Sequence, residues 1–291
     1  MWIALALVSA LGLGFYDIFK KISLKANNVL IVLFLNTVFG TLLMSPVIIG
    51  NLSSGHFGLG DTVSGHMAIV LKAFIVLSSW ILGYYAIKHL PLTIQGPINA
   101  TRPVVVLVGA LLIFGERLNL TQWIGIILGF ASLYFISRLG SKEGFSLKHS
   151  KWIWMSIGAM ILGAVSALYD KYLLRMYQPQ EVQAWYSLYQ CIIMGITVLI
   201  LRKVHGPGEK FVWRWAIPCI SIFLTTADLA YFYSLSYPDS MISIISMIRR
   251  GSVVVSFLYG VIVLHEKNIK AKVIDLSILL ISLALLVIGA L

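Results

Sequence analysis

Residues 115–138 read GERLNLTQWIGIILGFASLYFISR. A polar step, Gly115-Glu116-Arg117, opens onto an apolar run that carries no acid and no lysine and meets its first base at Arg138. A helix rises 1.5 Å per residue, so about 20 such residues cross the roughly 30 Å hydrocarbon core of a bilayer. A membrane barrel strand would alternate over about 10 residues, and this run does not. Reading outward, comparable runs fall at 2–22, 29–49, 67–88, 91–114, 118–138, 152–174, 182–201, 212–236, 239–264 and 270–290. They predict an all-α integral membrane protein with ten transmembrane helices. Composition agrees. The 291 residues are 59% apolar and 11% charged, with a mean hydropathy of +0.92. Soluble proteins average about 45–50% and about 25%. A soluble enzyme, a DNA-binding domain and a disordered chain are excluded. The formal charge of +11 is carried by loops between spans and implies no nucleic-acid partner. Cys191 and Cys219 lie in apolar runs, and no CxxC occurs. The opening run lacks a basic flank before it, so residues 2–22 are expected to be a retained span.

The two halves of the chain echo each other. Tyr16-Asp17 returns as Tyr169-Asp170, and Pro91 as Pro238. Arg102 follows Pro91 by 11 residues, as Arg249 follows Pro238. Glu116 and Glu266 each precede the last span of their half. Five spans per half is an odd number, so the halves insert in opposite directions, the inverted-repeat logic of secondary transporters.

With these features, Gly115-Glu116, Trp123-Ile124-Gly125-Ile126-Ile127-Leu128-Gly129 and the echo at Glu266, the chain resembles the EamA-type branch of the drug/metabolite transporter superfamily. The resemblance covers essentially the whole chain. It implies a first five-helix repeat over 1–140 and a second over 151–291, and members move amino acids, nucleosides, sugars, phosphorylated metabolites and drugs. The second half departs from the pattern: His265-Glu266 replaces Gly-Glu, and no Trp-Ile-Gly follows.

Charge sets an orientation. The loops after spans 1, 3, 5, 7 and 9 carry fifteen Lys and Arg. The other side carries three: Arg117, Lys171 and Arg175. The bias puts both termini outside a cytoplasmic membrane, whereas the family resemblance implies cytoplasmic termini.

Six ionisable groups inside spans stand out: Asp17, Asp170, Asp228, Arg102, Arg249 and Arg250. An Asp or Arg at a span centre costs about 2.5–3.5 kcal/mol on insertion scales, so these side chains are expected to face a bundle interior or a wet cavity. Ion pairing that holds helices in register is the structural reading. The functional reading places Arg102 and Arg249 each about 16 Å along its helix, near the midplane where a repeat-built substrate site belongs. With Arg250 they point to a carboxylate or phosphate on the substrate. Asn99, Tyr84, Tyr189, Gln190, Asp228 and Tyr231 complete the expected pocket. Asp17, Asp170, Glu116 and Glu266 are candidates for gating or proton coupling, with anchoring of Asp17 to Lys20 or Lys21 and of Asp170 to Lys171 or Arg175 as the alternative. Pro103 and Gly251 mark places where spans 4 and 9 break. Gly125-xxx-Gly129 permits close helix packing, in the bundle or at a dimer seam.

The chain has no GxxxxGK[ST], no HExxH, no GxSxG and no Cys/His cluster, so no ATPase, no metal centre, no cofactor and no catalytic group is expected. The function expected is secondary transport, export or import, of a small polar or anionic metabolite by alternating access, driven by H+ or Na+ or by the solute's own gradient. The partners are that solute and the lipid bilayer, with the protein a monomer or homodimer. An integral-membrane enzyme or lipid-carrier handler binding a phosphate, and a channel or scaffold, are the rival readings.

Overall fold

The computed structural model describes residues 1–25, 27–89, 98, 101–139, 151–205, 210–252, 254–255, 259 and 269–290. Ten α-helices lie among them: α1 Trp2–Leu24, α2 Val29–Ser53, α3 Val63–His89, α4 Arg102–Ile113, α5 Leu120–Leu139, α6 Lys151–Leu173, α7 Pro179–His205, α8 Ala216–Ser236, α9 Ile242–Arg249 and α10 Ile269–Gly289. Each falls within or overlaps one predicted span, and no strand occurs among the described residues. In hydrocarbon every backbone N–H and C=O must be satisfied within its own segment, which is why apolar runs of this length become helices. Six of them, α1, α2, α3, α6, α7 and α8, are long and apolar enough to cross a membrane.

The chain divides into two compact units. The first holds Met1–Leu77 and Asp170–Pro238, and the second Ser78–Tyr169 and Asp239–Leu291. Each unit takes helices from both halves of the sequence, and α3 and α6 each contribute to both.

In the first unit α1 packs along α8, and α2 packs against α7 and α8. Phe15 and Phe19 stack on Phe223 at 5.1 and 5.4 Å. Gly12 lets the backbones of α1 and α8 close, since a Cβ there would lie 2.9 Å from that of Ala227. Val32, Ile217 and Ile220 form the core between α1, α2 and α8. Polar clasps fix the register. The Ser221 hydroxyl donates to the Asn36 side chain (2.9 Å), and the Thr41 hydroxyl donates to the Ser187 carbonyl (2.9 Å).

In the second unit α5 lies along α10, and α4 packs against α9. Gly125 and Gly129 are the reason for the first contact. A Cβ on Gly125 would meet Leu286 at 3.0 Å, and one on Gly129 would meet Ser282 at 2.7 Å and Met247 at 3.0 Å. The small-residue stripe therefore serves packing within this unit. Asn119 and Gln122 form a reciprocal cap at the start of α5 (2.8 and 2.9 Å), and both also donate to the Gly289 carbonyl at the end of α10 (2.6 and 3.1 Å). The Ser79 hydroxyl of α3 donates to the Ala159 carbonyl of α6 (2.7 Å).

Candidate functional site

Charge is expensive inside a span, so the charged side chains that the fold buries locate the site. Lys72 on α3 is 2% exposed and heads the largest fully buried side chains among the described residues. The helix begins at Val63, nine residues earlier, so Lys72 lies about 14 Å along it, too deep for its stem to reach that end. Its ammonium donates to the carboxylate of Asp170 on α6, itself 5% exposed. The same nitrogen lies 4.3 Å from the ring centre of Tyr186 on α7 and 4.7 Å from that of Phe232 on α8. An opposite charge and two π faces together offset the removal of both ions from water. The whole cluster belongs to the first unit.

Polar atoms without partners flank this pair. Gln183 and Gln190 stand about one turn before and one turn after Tyr186 on α7, and both are buried. The side-chain oxygen of Gln183 and the side-chain nitrogen of Gln190 have no hydrogen-bond partner among the described residues. A buried polar atom left unpaired costs about 1–3 kcal/mol. Tyr231, buried on α8, lies 5.5 Å ring to ring from Phe232.

An aromatic group stands nearer the starts of α3 and α7. The Nδ1 of His66 is 2.8 Å from the Tyr189 hydroxyl, and its ring meets Trp185 edge-on at 4.6 Å. The loop before α3 folds down here. Glu181, in the first turn of α7, accepts the Leu59 N–H at 3.0 Å, and Leu59 is fully buried. Gly58 has φ +72, and a Cβ on it would lie 2.7 Å from the Asn51 side-chain nitrogen and 3.0 Å from the Trp185 indole nitrogen, so only glycine fits. In the same loop the Asp61 carboxylate is 2.8 Å from His56 Nδ1 and accepts the Phe57 N–H at 2.5 Å. The His56 bond, followed by that amide, holds its carboxyl below the usual carboxylate value.

In the second unit, α4 begins at Arg102 with Pro103 in its first turn. Half-buried Arg102 donates to the Gly163 carbonyl of α6, and a Cβ on Gly163 would lie 2.6 Å from its guanidinium carbon. Arg249 closes α9 and Arg250 caps it, both half-buried, where cations favour a helix C-terminus. Glu116 is engaged at the other end of α9. Its carboxylate accepts the Ile242 N–H (2.6 Å), the Ser243 N–H (3.2 Å) and the Ser243 hydroxyl (2.5 Å). Gly115, with φ +64, turns the chain after α4 so that Glu116 arrives there.

Of the residues singled out in the sequence, Asp170, Gln190 and Tyr231 are buried in the first unit, and Tyr189 on α7 and Asp228 on α8 are half-buried there. Asp17 is exposed on α1, so the repeated Tyr-Asp motif does not have repeated surroundings. Asn99, Glu266 and the side chain of Tyr84 lie outside the described residues. Three sequence readings change. Span 3 starts at Val63, not 67, which moves His66 from the loop into a helix. Lys171, counted with an outer loop, is buried in the last turn of α6. Asp170 pairs with Lys72, which the sequence reading passed over. The signal was present, a cation inside an apolar run, the same rule that picks out the aspartates. Gln183, Glu181 and Phe232 carried no such signal.

The described residues form ten α-helices, six of them long and apolar enough to cross a bilayer, with a charge pair buried in one unit, the make-up of a multi-pass membrane protein. Residues 1–138 and 150–288 each match the EamA-like transporter family, and the chain belongs to that family. It is 29% identical over 143 residues to an uncharacterized transporter of Archaeoglobus fulgidus, a match covering 48% of this chain and 49% of that protein. The chain thus spans about half the length of the curated relative it matches. A solved crystal structure superposes on 97% of the chain and 94% of its own, with a TM-score of 0.69 at 16% identity, which shows a shared fold.

Proposed function

We propose that the protein is a secondary transporter that carries a small polar metabolite across the cytoplasmic membrane by alternating access. The observation that carries this reading is the buried Lys72–Asp170 pair. A scaffold gains little by keeping two ions in the interior of a membrane unit, since apolar side chains of like volume hold helices together at least as well. A carrier gains a charge that can exchange partners. Asp170 is the carboxylate for coupling to H+ or Na+, and one charge moved across 100 mV yields about 2.3 kcal/mol. Arg102, Arg249 and Arg250 are the solute-facing cations of the second unit, with Glu116 fixing α9. The Lys/Arg bias favours outside termini, which fusion reporters at either end would report. The working unit is a monomer or a homodimer.

The test is solute uptake into proteoliposomes under imposed pH, Na+ and voltage gradients. Wild-type protein is expected to accumulate its solute in response to one of these, and Asp170→Asn to lose accumulation while keeping exchange. Product formation by detergent-solubilised protein, with no compartment to cross, would replace this reading with an enzyme.

A further inference from the structure

The loop before α3 is built against its own conformational preference. Five of the seven residues from Gly55 to Asp61 have positive φ, and two of them, Leu59 (φ +54) and Asp61 (φ +53), are the non-glycine residues that do so among the described residues. A Cβ disfavours the left-handed region, so such residues persist only where their surroundings hold them, and they gather at clamps and switches. Here the hold is specific. Leu59 is fully buried, Glu181 accepts its N–H at 3.0 Å, and its carbonyl oxygen accepts the Thr62 hydroxyl at 3.3 Å. A Cβ on Gly65, in the first turn of α3, would lie 2.6 Å from that carbonyl oxygen, so a bare glycine makes the seat. Closure also has a cost at polar atoms. The side-chain nitrogens of Asn51 and Trp185 both lie within 3.0 Å of where a Cβ on Gly58 would stand. Neither has a hydrogen-bond partner among the described residues, and neither does Nε2 of His66. One buried leucine and one charge-assisted hydrogen bond therefore oppose two strained residues and three unsatisfied nitrogens, the balance of an element with two states.

Resting on the transporter reading, we infer that residues 55–61 are a gate, with Leu59 as its plug and Glu181 as its latch, closing the end of the first unit where α3 and α7 begin. The loop covers Trp185, whose ring meets that of His66. From His66, Lys72 stands six residues further along α3, about 9 Å deeper. Lifting the loop gives the nitrogens of Asn51, Trp185 and His66 access to water or to a polar solute, and lets Leu59 and Asp61 return to ordinary backbone. Seating it shuts that end. A fixed turn would not exchange between the two.

The test is the reach of a membrane-impermeant maleimide to position 59. The full chain is held in nanodiscs with Cys191 and Cys219 replaced by serine, and carries either Leu59→Cys or, at an exposed reference position, Ser53→Cys. Leu59→Cys is expected to label to completion, but at least tenfold more slowly than Ser53→Cys. Glu181→Ala, which removes the latch, and Gly65→Ala, which fills the seat, should each speed it at least tenfold and leave Ser53→Cys unchanged. Alanine is the better helix former, so Gly65→Ala should keep its melting temperature. If Leu59→Cys does not fold, amide exchange of the chain with leucine in place decides the matter. The peptide holding Leu59 should exchange faster than the middle of α3, and at least tenfold faster again in Gly65→Ala. Leu59→Cys labelling as fast as the reference, no labelling long after the reference is complete, or rates untouched by both variants would overturn the inference. In proteoliposomes a bulky adduct at position 59 bars reseating, so accumulation of solute should fall at least tenfold against unlabelled protein. Accumulation unaffected by the adduct would overturn the gate and leave the transporter reading intact. No accumulation by wild-type protein under any gradient would overturn the transporter reading, while the labelling rates would still decide whether the loop opens.

Discussion

At the scale of single residues, Lys72 and Asp170 should behave as one group. Removing either partner takes from the other its buried counter-charge, so Lys72→Met or Asp170→Asn alone is expected to cost about 3–5 kcal/mol. The double variant, neutral and of similar volume, should return close to wild-type stability. Denaturant titration in detergent, arranged as a double-mutant cycle, measures the difference. Gly163→Ala makes a different point. The added methyl would collide with the guanidinium of Arg102, the far end of a flexible side chain, so stability should change little while Arg102 is displaced from the Gly163 carbonyl. If Arg102 faces solute, transport falls by an order of magnitude or more, and an uptake assay beside a melting curve separates the two effects. At this scale the sequence was only half legible. Asp170 announces itself as an acid in an apolar run. Lys72 carries the same signal, but a span read as starting at residue 67 puts it near an end, where a lysine can snorkel to the surface. The extra turn from Val63, opened by the tucked loop at Leu59, is what carries it to depth.

Among the elements, α9 shows how a motif acts through a neighbour. The Gly115-Glu116 step reads from the sequence as polar punctuation and as a gating candidate. In the fold, its glycine takes a left-handed turn and its carboxylate caps a helix 126 residues away in sequence. Glu116→Ala should cost about 1–2 kcal/mol, in the range of a lost N-cap. It should also speed amide hydrogen exchange at Ile242 and Ser243 in particular, which mass spectrometry of that peptide would detect. Among the described residues helix existence was legible, because long apolar spans satisfy their backbone groups within the helix. Partners were legible in part. Gly125 and Gly129 foretell close packing, but only the fold shows that α10 and Met247 fill the space. The cap by Glu116 is a long-range contact that no spacing rule encodes.

For the molecule as a whole, the sequence repeat and the compact unit are different divisions of the same chain. The repeat is visible as Tyr-Asp, Pro and Arg recurring in order, and the family model matches residues 1–138 and 150–288. The units are not visible that way, because each gathers helices from both repeats. A consequence can be measured. Residues 1–140 and 151–291 expressed as separate polypeptides should each be unstable alone, yet restore a folded, co-purifying protein when made together. A stable lone half, judged by gel filtration and protease resistance, would show that the contacts between helices of different repeats, α1 with α8 and α5 with α10, are dispensable.

The unlike surroundings of Asp17 and Asp170 bear on direction. The stretch of α8 that matches Lys72 by the repeat offsets, residues 219–225, reads CISIFLT and holds no cation. A carrier with identical halves would rest equally in its two access states. One whose ion pair is built on one side only has unequal resting populations, with every 1.4 kcal/mol of imbalance weighting them tenfold. If the protein works by alternating access, it behaves as a rectifier: its apparent affinity for solute differs between the two faces of the membrane.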